Sequence, residues 1–500
     1  MAYKRIYIMW LHNKSYRAFV LVLVLGFLTG CSVSESPVTG KKRAYGYSWE
    51  QEIQIGREAD PQIVAEFGAY DDAELTAYVR GIGERVLAHS DLRRPDTPAE
   101  YRIDFTFRVL DSPVLNAFAL PGGYVYVTRG LVAHMDNEAQ LAVVLGHEIG
   151  HVAARHASQR ALSGQLTQLG VIGGAVLGEV LAGAGGAVLQ AGSAAGQLLM
   201  LSYSRGAETE SDQLGVEYAA RAGYKAGEGA GFFETLQRVS EKTGQRLPSW
   251  QSTHPDPGKR EVKIREMAAQ WADSVSMTDV GRDRLFAQVD NVVAGDNPRQ
   301  GFVDGRVFYH PDLKFRFPIP NSWKLYNMTT AVVLTNDGQT AVNILSIVGN
   351  ASNSSDAAAK FRATEGITVR STSGVRVNGL TAQRLRAHAV QNNQQLEILA
   401  YFIDYGDNVY QFLAYTTADR YSGAEPAFLQ TIEGFARLTD QSILSIQPDR
   451  IDVITAGRTG KFESFIGNLP KQFAPDDIAI LNQLQLGSQV SRGTKLKLVK

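Results

Sequence analysis

Residues 147–151 read HEIGH, two histidines four positions apart with a glutamate between them. A helix advances about 100° per residue, so His147 and His151 fall on one face, a turn apart, and can hold the same ion. Glu148 falls beside that pair. From there a carboxylate can take a proton from a zinc-polarised water, whose pKa the ion brings down to about 7. Residues 137–153 suit a helix carrying the motif, with polar Asn137, Glu138 and Gln140 first, Leu141, Val144 and Leu145 at helical spacing, and no proline. A catalytic zinc site needs a third protein ligand and an open position. Residues 203–215, YSRGAETESDQLG, supply a candidate, because Arg205, Glu208 and Asp212 share a helical face. Glu208 would complete a His, His, Glu set, and Asp212, one turn on, can accept the second N–H of a ligand imidazole. The competing reading is a solvated face with an Arg205–Glu208 pair. With HEIGH upstream, the metal reading is preferred.

The chain resembles the M48-family zinc metallopeptidases on four stretches. These are NEAQLAVVLGHEIGHVAARH at residues 137–156, SRGAETESD at 204–212, NAFALPGGYVYVTRGL at 116–131 and STHPDP at 252–257. The resemblance implies one Zn2+ per chain, with His147 and His151 as ligands, Glu148 as catalytic base, Glu208 as third ligand and Asp212 as the acid supporting the ligand set. It also draws in His254, which on the residues alone is a solitary loop histidine of the kind usually found at a surface. Near the active site, as the resemblance implies, His254 would stabilise the oxyanion or cap the zinc in a resting form. Ser211 stands where the family usually has alanine, while the acids flanking it keep their spacing. His134 and His156 are read as structural residues away from the ligand face.

Ile103, Phe105, Phe107 and Val109 alternate with polar residues, which predicts a half-buried strand, and residues 124–128 predict a second. The tight turn at Pro121, Gly122 and Gly123 is expected to make the two neighbours in a small sheet beside the HEIGH helix. Residues 116–123 are the candidate edge for binding an extended substrate by strand addition, with Asn116, Ala117 and Phe118 as substrate-binding residues. An ordinary hairpin connection is the alternative.

Lys4, Arg5, Lys14 and Arg17 precede an apolar run at residues 18–28, the layout of a secretory signal. It ends in Leu28, Thr29, Gly30 and Cys31, which resembles a bacterial lipobox. That resemblance implies a signal peptide over residues 1–31, lipid attachment at Cys31 and a membrane anchor on the periplasmic side of the envelope. Ser32 next to it resembles the outer-membrane-sorted class. Cys31 is the only cysteine, so no disulfide is expected. A second apolar stretch, residues 164–201, carries one charge, Glu179, and is mostly glycine and alanine rather than leucine or phenylalanine. Two close-packed helices or a lid are preferred there over a membrane hairpin.

The 500 residues carry a formal net charge of −1 and no Lys/Arg cluster, which excludes nucleic acid as the expected partner. After about residue 275 the pattern turns strand-rich. The stretch F-x-F-P-I-P-N-S-W at 315–323 resembles the small α/β sandwich of PsbP and Mog1-like domains, over about residues 305–440. Residues 448–500 predict strand, helix, helix and strand, which resembles a LysM-type module and implies possible peptidoglycan contact. The expected fold is α+β: a mainly helical zincin core with a small sheet at 32–275, a linker at 276–304, the sandwich at 305–440 and the LysM-like module at 441–500. The implied function is a zinc metalloendopeptidase hydrolysing misfolded or misassembled envelope proteins. The alternative is a non-enzymatic, zinc-stabilised chaperone or assembly scaffold for outer-membrane proteins.

Overall fold

A computed structural model of the chain describes residues 32–168, 203–243, 254, 260–391 and 394–500. Residues 1–31, where a signal and a lipid-attachment cysteine were expected, nearly all of the Gly/Ala-rich stretch at 164–201, and the neighbours of His254 in its proline-flanked loop lie outside the described residues. None of the described helices is long and apolar enough to cross a membrane.

The chain begins with a hairpin of β1 (Ser32–Glu35) and β2 (Lys42–Tyr45), then helices α1 (Trp49–Phe67) and α2 (Ala73–Leu87). A three-stranded sheet follows, from β3 (Thr106–Leu110), β4 (Ala117–Leu120) and β5 (Tyr124–Thr128). Helices α3 (Arg129–His134), α4 (Glu138–Ala153), α5 (His156–Gln168), α6 (Arg205–Arg221), α7 (Gly229–Thr243), α8 (Arg260–Ala269) and α9 (Arg282–Val289) complete this part.

Helix α4 is its axis. Asn137 caps it by accepting from the Gln140 N–H, and all of its side chains are buried, so it runs through the interior rather than along the surface. Leu141, Val144 and Leu145 meet Leu75, Val79 and Val86 of α2 and Val216 and Tyr218 of α6 in one apolar core. Burying side chains of this size contributes roughly 1.5–3 kcal/mol each.

The two expected strands are neighbours in a small sheet, but the turn between them does not join them. Its order is β3-β5-β4, with β3 and β5 parallel and β4 antiparallel to β5. The turn at Pro121, Gly122 and Gly123 therefore joins β4 to β5, and β3 starts at Thr106 rather than Ile103. A β-carbon on Gly122 would meet the Ile53 Cα at 2.7 Å, so the turn packs directly on α1. Strand β4 is left as the sheet's edge.

The second unit contains β6 (Phe302–Asp304), β7 (Val307–His310), β8 (Phe315–Pro318), β9 (Trp323–Asn327), β10 (Ala331–Asn336), β11 (Ala341–Ile347), α10 (Ser354–Arg362), β12 (Ile367–Val377), β13 (Leu380–Gln391), β14 (Gln394–Tyr405), β15 (Asn408–Thr417), α11 (Tyr421–Glu433) and β16 (Ala436–Arg437). Seven strands in the order β12-β13-β14-β15-β11-β10-β9 and four in the order β16-β8-β7-β6 form two antiparallel sheets. The F-x-F-P-I-P-N-S-W stretch supplies their shared core, where Phe315, Phe317, Ile319 and Trp323 are buried with Phe412, Phe428 and Phe435. Helix α10 packs on the opposite face of the large sheet.

The tail has one α-helix and a 3-10 turn where two helices were expected. The turn Phe462–Ser464 and the helix α12 (Pro475–Leu481) lie between β17 (Ile451–Thr455) and β20 (Lys495–Val499), which pair antiparallel; two shorter strands, β18 (Gly460–Lys461) and β19 (Gln489–Val490), pair with each other. Nor does the tail stand apart. Ile451, Phe462, Ile478, Leu481 and Leu496 share the core of α4, as do Leu285, Val289 and Val292 from the stretch expected to be a linker. An apolar tail beside an apolar helix gains more by fusing cores than by keeping two small ones. Buried Lys497 fixes the junction, donating to the carbonyls of Ala133 at 2.7 Å and Met135 at 2.8 Å, where α3 ends.

Burial lowers the Lys497 ammonium from 10.5 to about 7. The unfolded chain holds this proton up to the ordinary lysine value while the folded chain sheds it earlier, so stability rises with pH between about 7 and 10.5, by at most about 1.4 kcal/mol per pH unit. Urea unfolding at pH 7 and 9 is expected to show this rise, and Lys497→Met to lack it. An equal rise in the variant would assign the effect to another group.

Candidate metal centre

Four donors converge inside the helical core. His147 and His151 project from one face of α4, their Nε2 atoms 2.9 Å apart. Glu208 on α6 places Oε2 3.7 Å from His147 Nε2 and Oε1 3.5 Å from His151 Nε2. His254 closes the group, with Nδ1 3.3 Å from His147 Nε2 and 3.0 Å from both Glu208 oxygens. One donor atom from each residue lies within 4.8 Å of all the others, and all four residues are buried. Three imidazoles and a carboxylate at this spacing suit a tetrahedral, borderline-soft cation such as zinc. Glu208 is 4% exposed, so the solvated-face reading of its helix does not hold.

Capping and close packing put these groups in place. Ser204 caps α6 by accepting from the Ala207 N–H, so Glu208 sits in the first turn. Two turns later Gly215 lies against Gly146 of α4. A β-carbon on Gly215 would meet the His147 nitrogen at 2.7 Å, and one on Gly146 would meet the Gly215 carbonyl oxygen at 2.8 Å. Only a glycine pair lets the two backbones approach this closely.

A second layer holds the donors. Asp212 Oδ1 lies 2.9 Å from His147 Nδ1, the arrangement that leaves Nε2 free for a cation. Arg260 donates to Asp212 through Nε at 2.9 Å and through Nη2, lies 3.4 Å from Glu208 and rests over the Phe233 ring. Burial pushes the Asp212 carboxyl up, but Arg260 and His147 outweigh it and hold it below the usual carboxylate range. Glu208 is also held well below that range, because His254 and His151 overcome its burial. Burial keeps His151 neutral, the form that ligates.

Glu148 behaves differently. It is fully buried, neither of its oxygens has a hydrogen-bond partner among the described residues, and His254 Nε2 stands 3.7 Å from Oε1. Burial raises its pKa. It is a carboxylate beside a cation site with its lone pairs unused.

The structure thus gathers His147, Glu148, His151, Glu208, Asp212 and His254. It also adds groups that sequence reasoning missed. Arg260 had no spacing signal, since it lies 48 residues beyond Asp212. Tyr203 stacks on His151, with ring centroids 4.1 Å apart and planes at 24°. His156, read as lying off the site, places Nδ1 3.0 Å from His151 Nδ1. His134 does lie away from the donors, with Nδ1 2.8 Å from the Gly130 carbonyl oxygen.

Asn116, Ala117 and Phe118 lead into and form the start of edge strand β4. Ala117 and Phe118 are buried, with Phe118 stacked on Tyr126 at 4.8 Å, so what β4 offers a ligand is its backbone edge, which pairs with no further strand among the described residues. The Asn116 Oδ1 has no hydrogen-bond partner among the described residues.

Residues 73–268 match peptidase family M48. The chain is 31% identical over 258 residues to the β-barrel assembly-enhancing protease of Yersinia pestis, covering 51% of each. It is 29% identical over 289 residues to the protein of that name in Escherichia coli K12, covering 54% of this chain and 57% of the other. To the human mitochondrial metalloendopeptidase OMA1 it is 31% identical over 265 residues, covering 50% of each. The chain spans about half the length of the curated relatives it matches. Among solved structures, cyanobacterial PsbP from Synechocystis matches 27% of this chain and 96% of its own with a TM-score of 0.24 at 13% identity. Mog1p of Saccharomyces cerevisiae matches 28% of this chain and 99% of its own with a TM-score of 0.22 at 11% identity.

Purified protein lacking residues 1–31 is expected to carry about one zinc per chain, the count for one such donor set, and Glu208→Ala to lose most of it. Full occupancy in that variant would remove Glu208 from the site.

Proposed function

We propose that this chain, whose residues 73–268 form an M48 peptidase domain, is a zinc-dependent metalloendopeptidase of the bacterial envelope that cleaves misfolded or misassembled envelope proteins. The observation that carries the reading is the buried His147, His151, Glu208 and His254 group with the unbonded carboxylate of Glu148 beside it. The envelope substrate rests on the relatives' printed names, which speak of β-barrel assembly and protease.

Zinc, when bound, supplies Lewis-acid polarisation of water and of the scissile carbonyl. His147, His151 and Glu208 hold it. Asp212 keeps the His147 proton on Nδ1, and Arg260 keeps Asp212 charged. Glu148 takes the proton of the attacking water and later delivers it to the leaving amine nitrogen. Its raised pKa suits both halves of that transfer. An extended substrate lies along the free edge of β4, held through backbone hydrogen bonds that ignore most side chains, which fits a protease for unfolded chains.

His254 is the latch. Its ring completes the donor set from a distant loop, excluding water and substrate until it is displaced. The tail, whose apolar face is spent on the core of α4, acts as a brace for the metal helix rather than as a peptidoglycan module. Anchoring through lipidated Cys31 at the outer membrane is the localisation we favour, and Cys31→Ala is expected to lose acyl labelling and membrane fractionation; labelling at the wild-type level would reassign the anchor.

The enzyme and scaffold readings separate on two substitutions. Glu148→Gln is expected to keep zinc and fold but lose cleavage of an unfolded protein such as casein, since an amide cannot take the water proton. Undiminished cleavage would overturn Glu148 as the base, and complementation of a deletion strain by this variant would favour the scaffold. His254→Ala is expected to raise steady-state cleavage. A fall of about a hundredfold would instead make His254 an oxyanion donor and end the latch reading.

A further inference from the structure

The two helical imidazoles are held by different means. His147 Nδ1 meets the carboxylate of Asp212 directly. Among the described residues, no carboxylate meets His151 Nδ1. Its neighbour there is a third imidazole, His156 Nδ1 at 3.0 Å, and the far nitrogen of that ring, Nε2, lies 3.1 Å from Glu210 Oε2. Glu210 accepts from both terminal nitrogens of Arg43, at 3.2 and 3.0 Å, and Arg43 belongs to the β1–β2 hairpin. His156 is buried, while Glu210 and Arg43 are partly exposed.

Proton positions along this chain follow from the metal reading, on which the inference rests. For His151 to present the Nε2 lone pair to a cation, its proton must be on Nδ1. The group facing that proton must accept, so His156 Nδ1 carries a lone pair and its own proton sits on Nε2. That proton needs an acceptor in turn, and the Glu210 carboxylate is in place. Arg43 pairs with that carboxylate at 3.0 and 3.2 Å and supplies its counter-charge. Every donor then meets an acceptor, from the metal position to the surface of the N-terminal hairpin.

We propose that His156 is a positioning residue of the metal centre, fixing the tautomer and ring plane of His151 through a relay that ends in Glu210 and Arg43. The relay does for His151 what Asp212 does for His147, with one imidazole inserted. The Ser211 hydroxyl lies 3.2 Å from the same His156 Nδ1, so it shares that single lone pair with the His151 proton. Arg43 lies outside the matched residues 73–268, so the relay's outer end is supplied by the segment preceding the peptidase domain. The consequence is a mechanical link between the N-terminal hairpin and a metal ligand: pulling the hairpin away frees Glu210 and loosens His151.

The test measures zinc affinity of the full chain lacking residues 1–31 by competition with a chromophoric chelator, alongside the visible absorption of the cobalt-substituted protein. His156→Phe is expected to weaken zinc binding about 10–100-fold, the usual cost of removing such a partner, and to shift the cobalt bands. His156→Gln, whose amide oxygen can accept the same proton, is expected to recover most of that loss. Arg43→Ala and Glu210→Ala change partly exposed side chains, so they test the relay even if His156→Phe does not fold, and both are expected to weaken zinc in the same direction by a smaller factor. Zinc affinities and cobalt spectra unchanged to within about twofold in the folded variants would overturn the relay, leaving His156 as packing alone. Absence of zinc from the unaltered chain would overturn the metal reading and the relay together. Relay effects on zinc in a protein that cleaves nothing, even as His254→Ala, would leave the relay standing and remove only the peptidase reading.

Discussion

The contact between Gly146 and Gly215 sets the dimensions of everything around it. Two α-helices bearing ordinary side chains pack with axes about 8–10 Å apart, and glycine at the crossing takes the pair to the near end of that range. Here a single methyl on Gly215 would strike the backbone nitrogen of His147. The same contact aims the site. Glu208 lies two turns before Gly215 and Asp212 about one, so closing the backbones places the first carboxylate beside both Nε2 atoms and the second beside His147 Nδ1. A larger residue at either glycine would move both acids away from both imidazoles at once.

Bringing the helices together also creates an electrostatic problem. Glu148, Glu208 and Asp212 are all nearly inaccessible, and each buried carboxylate costs several kcal/mol unless it is compensated. Arg260 neutralises Asp212 and approaches Glu208, but one guanidinium cannot balance three acids. Without a cation, His254 takes part of the remaining load. Its pKa is raised despite burial, because Glu208 and Glu148 face it. A divalent ion would supply that balance outright. Glu148 is the acid left with the least compensation, and that is why it alone of the three carboxyls is pushed up.

The metal helix is clamped at both ends by parts of the chain far from it in sequence. At its start, Gln140 exchanges hydrogen bonds with Gln483 of the tail, and Lys497 seals the carbonyls just upstream. Just past its end, Arg155 adopts a φ of 58° and sends a fully buried guanidinium to Glu52, the Ser34 hydroxyl and the Tyr47 carbonyl, stacked over Tyr45. A two-histidine site tolerates little rotation or slip of its helix, because a displacement of about 1 Å spoils both ligand distances. The N-terminal hairpin and the C-terminal tail supply that restraint from opposite ends.

What the sequence determined is what local geometry fixes. The helical repeat alone puts His147 with His151 and Glu208 with Asp212, and alternation alone marks the apolar residues of β3. The aromatic spacing at residues 315–323 is likewise set by which side of a strand each residue takes, and those residues form the sandwich core. The edge at 116–123 and the adjacency of β3 and β5 were legible, but that β3 and β5 run parallel and that the turn joins β4 to β5 were not. His254 came from family resemblance rather than from any pattern around it. Arg260 left no trace, and the role of His156 was hidden because its partners include Arg43 and Glu210, 113 positions upstream by number and 54 downstream. The tail and residues 276–304 were read as separate pieces, since an amphipathic segment shows that it buries one face but not against what. Periodicity reports which way a side chain points on its own element. Which elements meet is settled by the packing of surfaces more than a hundred residues apart, as between His147 and His254, and only the folded chain carries that information.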